Sequence, residues 1–213
     1  MQDIQSNISS EPKETPPENV HTNERLKELQ SLPLERKIQI TKSRIIEWYK
    51  YWNGQVYVSF SGGKDSTVLL YLVREIFPDV EAVYVDTGLE YPEIKQFVKS
   101  YDNVTILRPE MSFRQVLDKY GYPIISKEVS RDVGRTQKNG GINSKTGEFT
   151  YSYKMLNGLV LDKQGKPSLF NKEKWQFLLN APFKISNECC DIMKKKPLHK
   201  FDKETSKKPI VGV

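Results

Sequence analysis

Residues Ser61-Gly62-Gly63-Lys64-Asp65-Ser66 bring together the groups that a negatively charged ligand needs. Two adjacent glycines let the backbone take positive φ and approach a ligand with no Cβ in the way. Where such a turn opens a helix, the first N–H groups have no intrahelical partner, and the helix dipole adds positive potential at the same place. Lys64 contributes a mobile charge, and the hydroxyls of Ser61 and Ser66 can donate to phosphate oxygens. Asp65 can hold Mg²⁺ or cap the helix. The chemistry implied is the grip of a phosphate tail. It is not that of a Walker A loop, which requires a glycine where Val58 stands and Ser or Thr directly after the lysine, where this chain has Asp65.

A strand must lead into this turn and a helix must follow it. Gln55 to Phe60 reads as the strand, and Thr67 to Phe77 as the helix, with Val68, Leu69, Leu72, Val73 and Ile76 apolar and Pro78 as the stop. Glu81 to Asp86 reads as a second strand, Pro92 to about Tyr101 as a helix, and Val104 to Leu107 as a third strand. Phe113 to Tyr120 and Lys127 to Gln137 read as helices. Strands and helices alternating at this spacing predict an α/β fold: a doubly wound, mainly parallel sheet with helices on both faces. Ahead of it, Leu34, Ile38, Ile45, Ile46 and Trp48 mark an amphipathic helix opened by Pro33. Residues 1–32 are rich in Ser, Pro, Glu and Asn and are expected to form a disordered tail, with local helix around Glu24 to Gln30. Residues 33–213 are expected to form the nucleotide-binding domain. Within it, 138–170 reads as a long, partly mobile insertion rich in Gly, Asn, Ser and Lys, with one alternating stretch around Phe149 to Tyr153. Glu173 to Leu179 returns to helix, and Pro209 to Val213 reads as a core strand.

Composition narrows the partners. The chain has 213 residues, 37% of them hydrophobic, and a net charge of +6, a balance that suits a polyanion such as a nucleotide or a nucleic acid. Much of the excess sits in Lys194-Lys195-Lys196 and Lys207-Lys208. No apolar run has the length of a membrane helix, and the first residues carry neither a signal core nor an arginine-rich transit pattern, so a cytoplasmic location with no membrane partner is expected. The two cysteines, Cys189 and Cys190, are adjacent and close no useful loop, which excludes a disulfide framework and fits a reducing compartment. His199 reads as a surface residue.

The glycine turn resembles the PP-loop of the ATP pyrophosphatase and phosphoadenosine-phosphosulfate (PAPS) reductase superfamily. A second landmark is similar too: Asp86-Thr87-Gly88 at the end of the second strand, followed by Tyr91-Pro92-Glu93 as in members of the reductase type. Both landmarks fall at carboxyl ends of parallel strands, where open α/β sheets bind ligands. The resemblance implies that Ser61, Gly62, Gly63, Lys64, Asp65 and Ser66 hold the phosphates of PAPS, adenylylsulfate (APS) or ATP, and that Asp86 and Thr87 flank the adenosine. A third stretch, Cys189-Cys190 followed by Lys194 and Pro197, resembles the family's CC-x-x-x-K-x-x-P segment, which implies that Lys194 faces the nucleotide's charged groups. In the APS branch such a cysteine pair supplies two ligands of an iron–sulfur cluster. A four-iron cluster needs four thiolates, and this chain has two cysteines, so a complete cluster is not expected within the chain alone.

The resemblance implies an oxidoreductase of sulfur metabolism that reduces a sulfonucleotide or transfers its sulfur, with a thioredoxin-like reductant as a partner. Two family features have no counterpart here. No residue matches the reductases' nucleophilic cysteine, and Pro209 to Val213 resembles the strand that leads into an arginine- and glutamate-bearing loop over the phosphates, which does not follow. A truncated member, or one whose site a second protein completes, is therefore expected. Two other readings stay open. One is an ATP pyrophosphatase-type enzyme that adenylates an acceptor for sulfur transfer to nucleic acid; the other is a non-catalytic nucleotide-binding regulator. In either catalytic reading, Lys64 and Asp65 are the residues best suited to stabilise charge.

Overall fold

The computed structural model describes residues 22–212. The chain divides into two compact units, Met1–Ser43 and Arg44–Val213. In the first, Thr22 caps helix α1 (Asn23–Ser31) by accepting from the Arg25 N–H at 3.1 Å. The local helix expected within 1–32 is present there, and residues 1–21 of the expected tail lie outside the described residues. Helix α2 (Leu34–Tyr51) starts directly after Pro33.

In the second unit, strand β1 (Val56–Ser59) leads to α3 (Lys64–Ile76), β2 (Ala82–Val85) to α4 (Pro92–Lys99), and β3 (Val104–Leu107) to α5 (Phe113–Tyr120) and α6 (Lys127–Asn139). After α7 (Tyr151–Leu156) come a 3-10 helix (Glu173–Asn180), a π-helical turn (Asp191–Lys195), α8 (Lys196–Thr205) and β4 (Lys208–Ile210). The strands form one wholly parallel sheet in the order β3-β2-β1-β4. The chain winds outward from β1 to β3 and then returns to the far side of β1, so the β1–β4 junction is a topological switch point. Successive side chains of β1 point to opposite faces, and each face is covered. Tyr57 packs with Val83 and with Phe201 of α8, whereas Phe60 meets Phe97 and Tyr101 around α4, with ring centroids 6.4 and 5.2 Å away.

Residues 138–170, expected as an insertion with mobile character, carry ordered elements. Antiparallel bridges Ile142↔Phe149 and Leu161↔Pro167 close two hairpins on either side of α7. The alternating stretch at Phe149 to Tyr153 is the start of that helix: Thr150 caps it, its hydroxyl accepting from the Tyr153 N–H at 3.3 Å. Leu156 is fully buried against Val129, Val133, Leu178 and Ile185, so α6, α7 and the 3-10 helix share one core.

A buried charge locks that core. Asp132 of α6, 1% exposed, accepts from Lys172 Nζ at 2.6 Å and from the Ser152 hydroxyl of α7 at 3.0 Å. Burial alone pushes the Asp132 carboxyl up, but hydrogen bonds from Lys172, Arg131 and Ser152 outweigh it and hold the group below its ordinary value. A carboxyl depressed in the folded state adds stability above its unfolded pKa of about 4, and that stability is lost as pH falls through the lower folded value. Asp132→Ala removes this contribution and leaves the Lys172 ammonium, whose side chain is 13% exposed, with the more distant, exposed Glu128 carboxylate at 3.5 Å. The variant is expected to lose about 3 kcal/mol in urea unfolding at neutral pH, with a smaller deficit in acid; an equal deficit at both pH values would mean that the pair contributes nothing through charge.

Candidate functional site

The backbone turns from β1 into α3 through two glycines in different conformations. Gly62 is left-handed, at φ 74°, and Gly63 is extended and stands at the N-cap of α3 without a side-chain cap. Cross-links within the loop fix its shape. The Ser66 hydroxyl accepts from the Ser61 N–H at 3.2 Å, donates to the Gly63 carbonyl at 3.0 Å and lies 3.0 Å from the Ser61 hydroxyl. The Gly63 N–H donates to Ser61 Oγ at 3.3 Å, and Thr67 bonds the Gly63 carbonyl through both its N–H and its hydroxyl. Ser66 is buried, and its position makes it a staple of the turn. Ser61, Lys64 and Asp65 are exposed. Among the described residues, the amides of Gly62, Lys64, Asp65 and Ser66 have no acceptor. Four unpaired N–H groups therefore meet at the positive end of a thirteen-residue helix.

Both neighbours of the loop touch it through glycine. A Cβ on Gly62 would stand 2.9 Å from Ile94 Cγ2 and 3.0 Å from Val98 Cγ2, so α4 rests on the turn. At the end of β4, Gly212 lies over the backbone of Asp65, where a Cβ would stand 3.6 Å from its carbonyl oxygen. The loop thus sits at the switch point, between α4 and the carboxyl end of β4.

Asp86 and Thr87 follow β2 at the same end of the sheet. Asp86 accepts from the Gly88 N–H at 3.1 Å and pairs with Lys95 Nζ at 2.7 Å, while Arg108 Nε stands 3.9 Å away. The hydrogen bond from Lys95 holds its carboxyl below the ordinary value, against a smaller opposing effect of burial. Thr87 is buried, and Glu90 clamps it, accepting from its N–H at 3.0 Å and its hydroxyl at 2.7 Å. Sequence reasoning missed Lys95, Arg108 and Glu90. The Thr-x-x-Glu spacing of a capping box was a visible sign of the last. Lys95 and Arg108 gave none, because they reach Asp86 only through the placement of α4 and the pairing of β2 with β3. From Arg108, a 410 Å³ cavity extends past Met111 and Tyr120 to Lys196 and Lys200 of α8.

The cysteines lie in another part of the fold. Cys189 packs against the cluster of Val116, Ile192 and Met193, and burial raises its thiol pKa; Cys190 is exposed. Lys194 is exposed on the π-helical turn, with no ion pair among the described residues. Two thiols are half the set that a four-iron cluster requires. Among the described residues, no group of three or more His, Cys, Asp or Glu side chains is placed to hold a metal ion, and no helix is long and apolar enough to cross a membrane. His199 is exposed and lies 3.6 Å from Asp202.

Residues 55–131, from β1 into α6, match the phosphoadenosine phosphosulfate reductase domain. An adenosine 5'-phosphosulfate reductase of Bacillus cytotoxicus is 29% identical over 84 residues, 36% of this chain and 36% of the relative. Its namesake from Staphylococcus haemolyticus is 28% identical over 83 residues, 36% of this chain and 34% of the relative. An uncharacterized protein of Methanocaldococcus jannaschii is 37% identical over 95 residues, 42% of this chain but 23% of its own length. The chain thus spans about a third or less of these curated relatives. Through this segment the chain is similar to the PAPS reductase family.

Gly62→Ala puts a methyl group into α4 and forces alanine into left-handed φ. Strain of about 1–2 kcal/mol is expected from the backbone alone, read as a lower melting temperature. An unchanged melting temperature would show that α4 does not rest on the turn.

Proposed function

We propose that the Arg44–Val213 unit binds an adenine sulfonucleotide, PAPS or APS, through the loop Ser61 to Ser66, and serves sulfonucleotide reduction or sulfur transfer. The observation that carries this reading is the set of four acceptor-free amides at the N-terminus of α3, beside Lys64 and at the carboxyl end of β1. Such a site favours a multiply charged phosphate group over a neutral ligand. The match of residues 55–131 to the PAPS reductase domain and the likeness to adenosine 5'-phosphosulfate reductases support the sulfonucleotide as its ligand.

Each residue has a part in this reading. The amides of Gly62, Lys64, Asp65 and Ser66 bind the phosphate oxygens, and Lys64 neutralises their charge as it shifts during attack at sulfur. Asp86, held by Lys95, and Thr87, held by Glu90, shape the end of β2 where the nucleoside lies. Reduction at sulfur takes two electrons from an external dithiol of the thioredoxin type and releases sulfite and the adenine nucleotide.

Titration of the protein with PAPS, APS and ATP, followed by melting temperature, tests the binding. The sulfonucleotides are expected to raise it, and Lys64→Ala to weaken them by about 2 kcal/mol, roughly thirtyfold in Kd, without unfolding the protein. Dithiol-dependent release of sulfite supports the reductase reading. Release of pyrophosphate from ATP would replace it with adenylation, and binding with neither product would leave a nucleotide-binding regulator. Affinity unaffected by Lys64→Ala would remove the loop from the site.

A further inference from the structure

A second basic feature stands apart from the loop. A 730 Å³ cavity opens between the C-terminal end of α5, one face of α6, residues 184–188 and the start of α8, and none of residues 61–66 lines it. Six cations do: Lys119, Arg131, Arg135, Lys138, Lys184 and Lys196. Only two carboxylates face them, Glu188 and Asp191, and Asp191 is already paired with Lys195 at 2.7 Å. Arg131 has a partner in Asp132, but Arg135, Lys138 and Lys184 make no ion pair among the described residues.

Buried contacts hold the walls in place. Arg131, Gly134, Arg135 and Lys138 recur at helical spacing, which puts them on one face of α6 over about 10 Å. Gly134 lets the facing chain come close, since a Cβ there would stand 2.3 Å from the Ile185 carbonyl oxygen. Gln137 clamps the same chain by accepting from the Ile185 N–H at 3.1 Å, and Ile185 also bridges to Tyr122 in parallel. Lys184 is thereby fixed opposite the α6 cations. At one end lies Tyr120, with Lys119 Nζ 5.4 Å and Lys196 Nζ 6.0 Å from its ring centroid.

We propose that this groove binds a stretch of single-stranded nucleic acid, its phosphates along the α6 cations and Lys184, and a base against Tyr120. The spread of charge favours this ligand. One terminal phosphate reaches one or two of these cations, whereas a strand presents phosphates in succession along the whole row. Basic tracks interleaved with an aromatic ring are the usual means of holding single strands without reading their sequence.

Fluorescence anisotropy with a short labelled oligothymidylate tests the proposal on the full chain. The variant Arg135→Glu/Lys138→Glu/Lys184→Glu is expected to weaken binding about tenfold or more and to flatten the dependence of log K on log salt by about 2, at about 0.7 per lost single-strand contact. A control, Lys145→Glu/Lys163→Glu/Lys166→Glu, makes the same change in net charge at exposed positions outside the groove and is expected to bind nearly as the parent does. Lys64→Ala is also expected to bind as the parent does, which separates this site from the nucleotide loop. Circular dichroism melts confirm that each variant is folded. Absence of binding at low salt overturns the proposal, and so does an equal loss in the control. Displacement by uridine monophosphate as effective as by unlabelled strand, at matched phosphate concentration, also overturns it, since the groove then takes single phosphates.

Discussion

The contact between Gly62 and helix α4 governs the organisation at the carboxyl end of the sheet. The chain leaves β1 in extended form and must turn within a few residues to start α3, which it does with Gly62 at φ 74°. At the same point Ile94 and Val98 come within a Cβ's reach of the turn, leaving no room for any side chain. Two demands, one of conformation and one of space, thus fall on a single residue. Because α4 begins just after the Asp86–Glu90 turn, the contact that shapes the loop also sets where the second landmark lies. The first turn of α3 is left pointing outward, its amides unpaired.

Charge around the loop follows a related logic. An unpaired carboxylate at the end of β2 would oppose any phosphate near the end of β1, since like charges repel more strongly as their separation and the local dielectric fall. Lys95 of α4 at 2.7 Å and the Gly88 amide of its own turn engage Asp86, and Arg108 adds to the screen from just past β3. The parallel register supplies that last residue: the Asp86 N–H donates to the Leu107 carbonyl at 2.8 Å, which puts the next residue of the third segment alongside.

Legibility in the sequence tracked how local each cause was. Strand β3 and helix α5 stand where alternation and capping place them, and β1, β2 and α4 fall within one or two residues of their expected ends. Their signals are contained in a few consecutive residues: alternating apolar strands, Pro92 opening a helix, Pro78 closing one. The geometry of the loop was legible for the same reason, its glycines and serines being contiguous. Helix α7 was not. At six residues it is too short to show a helical period, and its aromatic start imitates a strand. What holds it is Leu156 in a core drawn from α6 and the 3-10 helix, together with the bond from Ser152 to Asp132 twenty positions earlier. The basic groove was equally invisible, since Lys119, Arg135 and Lys184 look like scattered surface charges until α5, α6 and the 184–188 segment are packed together.

The two basic regions are built from different materials, and that difference has physical consequences. At the loop the donors are backbone amides already fixed by the Ser61, Gly63 and Ser66 bonds, so the ligand proposed for it would order little on arrival. Its grip depends on short, directional hydrogen bonds, which salt screens weakly. In the groove the cations end long, exposed side chains whose rotamers must settle on contact, and their attraction acts through solvent, where the Debye length at physiological salt is about 8 Å. A fixed amide cradle discriminates by geometry, as recognition of one small anion demands. A row of mobile cations on a fixed helix face discriminates by the spacing of charge, which matches a chain of phosphates better than any single one.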